Sequence, residues 1–243
     1  MCGVKLGQKF RRKRWCVGKL GAINSGVNNT MNLTYYHIEK CGGIWLRETF
    51  ANNGWKVTVD DRHYSDGFGH LQIIQNEGIV EPYSDVLILM RNPWSRLLSY
   101  YNYSIASALD IGPIGGWTTQ PTPLQFLETV TLDRDYGDRN RVNQYPHLYP
   151  PSIMPYRSQE YTLRLLGADI EGARVWNVGD PEFLEFLKSI GIEPIGKPLN
   201  SSRELCKMYG LDYRELFTEE EMYYIYSSGI LEDDINLWSK YYG

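Results

Sequence analysis

Three times in this chain an apolar, strand-like run is followed within a few residues by a helix signal, and that alternation constrains the fold more than any other feature. The first unit joins a strand at 33–38, rich in Thr, Tyr and Ile, to a helix at 44–53 that Gly54 stops. The second joins "DVLILM" at 85–90, apolar throughout as in a strand covered on both faces, to "RNPWSRLLSYYNYSIASAL". There Asn92 caps, Pro93 takes the first helical position, and Leu97, Leu98, Tyr101 and Ile105 form the apolar stripe. The third runs from a strand ending at Val178, through the cap Asp180 and Pro181, to a stop at Gly191. Strands alternating with helices predict an α/β fold, a parallel sheet flanked by helices, with a ligand crevice beyond the carboxyl ends of its strands.

The remaining segments are read around that frame. Residues 57–59 predict a short second strand, followed by the polar "DDRHYSDGFGH" and a weak helix or turn. Residues 110–160 hold seven of the twelve prolines, and only 124–130 reads as helical; so long an irregular stretch inside a domain points to a functional or a mobile region. Thr218 and Glu221 make a capping box, with helical stripes through Met222 and Ile225 and through Ile235 and Trp238. A single domain over 33–243 is expected, preceded by a basic, flexible tail at 1–32.

Composition narrows the class. The longest purely aliphatic run, Val86 to Met90, is far short of a membrane span, and no apolar stretch follows the basic start as a signal peptide requires. The four cysteines are scattered, which fits a reducing compartment rather than a disulfide framework. Residues 1–38 hold seven Lys or Arg and no acid, leaving 18 basic against 29 acidic residues in the body. "RRKR" at 11–14 suits nucleic acid, an anionic surface or simply solvent, while the acidic body opposes a long polyanion. A nucleic-acid partner is not expected.

Two loops follow strand ends and carry the chemistry. In "EKCGGIW" Lys40, Gly42 and Gly43 stand at the entry to a helix, where unpaired N–H groups and partial positive charge suit an anion. The lysine precedes the glycines and no hydroxyl follows, unlike the magnesium-binding GxxxxGK[ST] loop; a tight turn with an exposed lysine is the plain alternative. In the second loop Arg91 ends a strand and Ser99 lies two turns into the next helix, so both side chains are expected to converge on one anion. Arg96 is either a further member or a surface arginine. Two anion sites on one sheet predict a ligand with two phosphates.

These residues resemble those of the 3′-phosphoadenosine 5′-phosphosulfate (PAPS)-dependent sulfotransferases, of the carbohydrate type that includes heparan sulfate 2-O-sulfotransferase. "HIEKCGGIW" looks like that family's 5′-phosphosulfate loop, HIPKTGGTS, and "RNPWSRLLSYY" resembles its 3′-phosphate motif, RNPxxRLxSxY. "GHL" at 69–71, Gln144, "WNVGDPEFLEFLKSIGI", "PLNSS" and "EDDINLWSKYY" extend the likeness over about 33–243. The resemblance implies a P-loop-NTPase-like sulfotransferase fold and a PAPS site at Lys40, Cys41, Gly42, Gly43, Ile44, Arg91 and Ser99. The family's proline is Glu39 here, its threonine Cys41 and its Thr-Ser Ile44-Trp45, which leaves backbone amides where hydroxyls would bind phosphate. Glu39 would oppose an anion unless it turned away or met a cation such as Arg47.

The implied chemistry is transfer of a sulfuryl group to a hydroxyl, with Lys40 on the leaving oxygen, adenosine 3′,5′-bisphosphate as product and no metal. The resemblance favours His70 as the general base, with His63 second and Glu48 and Asp61 behind it. Asp60, Asp61, His63, Asp66 and His70 could instead hold a metal, though their spacing matches no standard loop. The acceptor, a hydroxyl-bearing molecule such as a glycan, is expected at 110–160, where Trp117, Tyr136, Arg139, Arg141, Tyr145, His147 and Tyr149 mix flat rings with cations. A small-molecule kinase and a binding protein that has lost catalysis are the competing classes. A cytoplasmic enzyme of microbial or viral origin is expected, unless the chain is an excised luminal domain.

Overall fold

A computed structural model describes residues 32–65, 69–76, 84–110, 122–136, 156–196 and 201–243. Its five strands are β1 (Asn32–Ile38), β2 (Trp55–Ser65), β3 (Gly69–Asn76), β4 (Ser84–Met90) and β5 (Arg174–Asn177), ordered β2-β3-β1-β4-β5. Helices α1 (Gly43–Asn52), α2 (Pro93–Asp110), α3 (Pro123–Tyr136), α4 (Gln159–Leu165), α5 (Pro181–Ser189), α6 (Ser201–Met208), α7 (Glu219–Ser228) and α8 (Glu232–Tyr242) complete the described fold.

The three strand-to-helix units form β1-α1, β4-α2 and β5-α5. β1 pairs in parallel with β4, and β4 with β5, so all three strands end on the same edge of the sheet. Each start signal works as chemistry requires. Asn92 Oδ1 accepts the N–H groups of Trp94 (3.1 Å) and Ser95 (3.3 Å), and Asp180 accepts that of Glu182 (3.0 Å). Leu87, Ile88, Leu89 and Met90 are fully buried, as a strand covered on both faces demands, and each contributes about 1.5–3 kcal/mol of transfer free energy.

β1, β4 and β5 form the expected parallel sheet, but the sheet as a whole is mixed, which corrects the expectation of a wholly parallel one. β3 lies antiparallel to both β1 and β2, so a hairpin occupies one side where a short strand at 57–59 and a weak helix or turn were expected. Antiparallel neighbours need only a short connection, and the Asp66-Gly67 dipeptide between these strands is the sequence signal for one. The polar run 60–65 hides the strand because an edge strand has no need to be apolar. Within 110–160, α2 reaches Asp110 and α3 spans Pro123–Tyr136 rather than 124–130 alone. Thr122 and Gln125 cap α3 reciprocally, at 2.9 and 3.2 Å.

Two apolar clusters fill the interior. One joins β1 and β4 to α1, α5 and α8 through Leu33, Leu46, Phe50, Phe183 and Leu237. The other joins α2 to α3, α6 and α7 through Leu97, Tyr101, Phe126, Cys206 and Ile225.

Candidate functional site

The loop after β1 is held in one shape by close packing. The N–H of Cys41 donates to the carbonyl of Ile38 (3.3 Å), and Lys40 takes a left-handed conformation (φ 62°), unique to it among the described non-glycine residues. Gly42 follows at φ 85°, where a Cβ would lie 2.3 Å from Val178 Cγ2; a Cβ on Gly43 would lie 2.0 Å from the His37 ring. Bare backbone is therefore required at both positions. Gly42 caps α1 without any side-chain hydrogen bond, which leaves the first-turn amides open to an external acceptor.

The second loop packs directly on the first. The Arg91 N–H donates to Gln159 Oε1 (2.9 Å) and the Arg91 carbonyl accepts from Gln159 Nε2 (3.0 Å), so a side-chain amide continues the ladder beyond β4. The same Gln159 oxygen accepts the Cys41 thiol (3.3 Å), and burial pushes that thiol up to about 11, keeping it a donor. The Arg91 guanidinium donates through Nε to Ser95 Oγ (3.3 Å) and through Nη1 to the Lys40 carbonyl (3.2 Å). Burial lowers the pKa of Arg91.

The Lys40 ammonium stands 3.5 Å above the Tyr103 ring. Burial brings its pKa down to about 8; the charge of Arg91 pushes the same way and Glu39 opposes both. Glu39 does not meet Arg47, which is exposed on α1. Its carbonyl accepts from Arg96 Nε (3.1 Å), and its carboxylate lies 3.5 Å from the Tyr100 hydroxyl. Burial raises that carboxyl to about 7, although Lys40, Arg96 and Tyr100 all favour the ionised form.

Arg96 is not a surface arginine. It is 1% exposed, donates through Nη1 to Asp234 (3.1 Å) on α8, and lies over the Tyr156 ring. Burial works against its charge, but Tyr156 and Asp234 more than offset this and hold the guanidinium above its ordinary pKa. Asp234, itself fully buried, also accepts from the Tyr156 hydroxyl and the Gln159 N–H. A carboxylate with three sets of donors thus braces both loops from behind, so Arg96 acts as a strut for the Glu39 turn.

Arg91 and Ser99 do not share a hydrogen bond; the hydroxyl beside Arg91 is that of Ser95. Ser99 is buried, and its carbonyl accepts from Ser202 on α6 (3.4 Å). Ile44 is half-exposed at the first turn of α1, whereas Trp45 turns into the core and donates to the Ile195 carbonyl (2.8 Å). His70 sits at the start of β3 with His37 as its register partner, beside the end of β1 that leads to Lys40. Its side chain lies outside the described residues, as do those of Asp60, Asp61 and His63 on β2, and Asp66 lies outside altogether. Glu48 is half-buried on α1. Trp117, Arg139, Arg141, Gln144, Tyr145, His147 and Tyr149 also lie outside, and Tyr136 ends α3 with its side chain undescribed.

Gln159, Asp234, Ser95, His37 and Tyr103 escape sequence reasoning. Asp234 sits among three acids in the first turn of α8, where helix-dipole compensation explains any of them. Gln159 follows the cap of a helix too short to signal itself. No group of three metal-ligating side chains occurs among the described residues. A cleft of about 320 Å³ between α4 and the α7–α8 turn, lined by Arg157, Tyr161 and Asp233 among others, is separate from the two loops. No helix among the described residues is long and apolar enough to cross a membrane.

The arrangement brings two cations and a helix N-terminus into one contact network at the carboxyl edge of three parallel strands. No protein-family model, curated protein or solved structure matches the chain.

Proposed function

We propose that the protein is a sulfotransferase with a P-loop-NTPase-like sulfotransferase fold, acting on the hydroxyl of a carbohydrate acceptor with PAPS as sulfuryl donor. One observation carries this reading: the Arg91 guanidinium donates to the carbonyl of Lys40, so the two motif-bearing loops form a single site. The open α1 amides, Lys40 and Arg91 supply three independent anion-binding elements, as a donor with separate phosphate groups needs. In the reaction the acceptor oxygen attacks sulfur, the bond from sulfur to the 5′-phosphate oxygen breaks, and adenosine 3′,5′-bisphosphate leaves with that electron pair.

Lys40 and the amides of Gly43 and Ile44 stabilise charge on the leaving oxygen, Cys41 and Gly42 shape the loop around it, and Arg91 binds the 3′-phosphate. Ser95 orients Arg91, while Ser99 belongs to the buried face of the same helix. His70 takes the acceptor proton, with His63 the next choice. The chemistry requires no metal.

A second reading, a binding protein of the same architecture with impaired catalysis, is favoured by the replacement of two hydroxyl positions with an exposed Ile44 and a buried Trp45. Calorimetry with adenosine 3′,5′-bisphosphate and with ATP and Mg²⁺ distinguishes a sulfotransferase from a kinase. Labelled transfer from PAPS to a glycan panel then separates enzyme from binding protein. Transfer lost in Lys40→Ala and Arg91→Ala, with His70→Ala still binding nucleotide, is the expected outcome. Binding of ATP with indifference to the bisphosphate overturns the proposal.

A further inference from the structure

The backbone of Lys40 is anchored on every side. Its carbonyl is bound by Arg91, the carbonyl before it by Arg96, and the N–H after it closes a turn on Ile38. A left-handed conformation at a residue with a Cβ is strained, and such strain persists only where surrounding contacts impose it. The lysine side chain, by contrast, has four rotatable bonds of its own. Something must fix its end if the ammonium is to stand at a defined point.

The α2 helix supplies that support. Arg96, Tyr100 and Tyr103 succeed one another at helical spacings of four and three residues, so they lie on one face. The first two touch Glu39, and the third lies under the Lys40 ammonium at 3.5 Å. The loop therefore runs along a single stripe of α2, and Tyr103 is its last contact.

We propose that Tyr103 is a positioning residue, whose ring face seats the Lys40 ammonium and so fixes where the loop that opens α1 presents its side-chain positive charge to an anion. An aromatic seat differs from a carboxylate in one respect that matters here. It attracts the cation through its ring quadrupole without cancelling the charge, so the ammonium stays available to an incoming anion. A partly desolvated contact of this kind is weak enough to yield to a phosphate or sulfate oxygen and strong enough to restrict the lysine beforehand. That the anion is the leaving 5′-phosphate oxygen rests on the sulfotransferase reading; the seat itself does not.

The test begins with the unaltered protein. Lysines are reductively methylated with ¹³C, and the Lys40 signal is assigned by its loss in Lys40→Arg. A ring face beneath the nitrogen shifts the Lys40 methyl resonance upfield of the other lysines, and adenosine 3′,5′-bisphosphate moves it again. A Lys40 resonance at the ordinary lysine position overturns the proposal without recourse to any Tyr103 variant. Tyr103→Leu abolishes the upfield shift and lowers kcat for transfer about tenfold, while binding of the bisphosphate changes by less than about threefold. Tyr103→Phe, which keeps the ring face, restores both the shift and kcat. Equal losses in the Leu and Phe variants assign the effect to the hydroxyl and overturn the seat. An upfield signal in a protein that transfers no sulfate sustains the seat and removes the sulfotransferase reading, so the two fail separately.

Discussion

Replacing Glu39 by glutamine tests whether the loop after β1 carries a carboxyl held in its proton-bound state. The folded carboxyl keeps its proton to about pH 7, whereas an unfolded one loses it near 4.5. Between those values the native state binds more protons than the unfolded state, so this group makes stability fall as pH rises through that window, with the full penalty present above pH 7. The difference corresponds to about 3 kcal/mol, and partial contact with water reduces it to about 2. Glu39→Gln keeps the backbone carbonyl that Arg96 requires and retains an oxygen for the Tyr100 hydroxyl, so it removes the titration with little change in packing. Urea unfolding at intervals from pH 4.5 to 8 is the assay. The variant should match the native protein near pH 4.5 and exceed it by about 2 kcal/mol at pH 8. Parallel stability curves across the whole range would refute a buried, proton-bound Glu39.

Asp234→Asn leaves the Arg96 guanidinium buried without its counter-charge and should cost about 3–5 kcal/mol in urea unfolding, although neither of the two loops is altered. Gly43→Ala drives a methyl into the His37 ring and should destabilise by about 1–3 kcal/mol; in the double variant with His37→Ala the combined loss should be less than the sum of the two single losses. Because burial brings the Lys40 pKa of the unliganded protein down to about 8, kcat/KM for PAPS should decline as pH rises through that value, in a pH-rate profile at subsaturating PAPS.

Local signals made much of the frame legible. The apolar run 85–90, the caps Asn92 and Asp180 and the stop at Gly54 encode strand, helix and boundary within a few residues of one another, because helix termini and fully covered strands impose local chemical requirements. The hairpin was obscured for the opposite reason: its polar residues suit an edge position, and being at an edge is a property of the assembled sheet. Spacing suggested that Arg91, just before α2, and Ser99, two turns into it, would converge, but it could not decide that Ser95 would take the hydrogen bond or that α6 would cover Ser99.

By itself the sequence determined that two loops rich in cations, glycine and capping residues follow strands and open helices, since those residues carry such local tendencies wherever they stand. Only the tertiary structure decided which arginine lies against the Lys40 loop and which is a buried strut. Arg91 and Arg96 are five residues apart in one motif, yet one lies half-buried against the Lys40 carbonyl and the other is sealed against Asp234 from the far end of the chain. That choice depends on where α8 packs, and a buried carboxylate some 140 residues away leaves no local trace in the sequence around the arginine it binds.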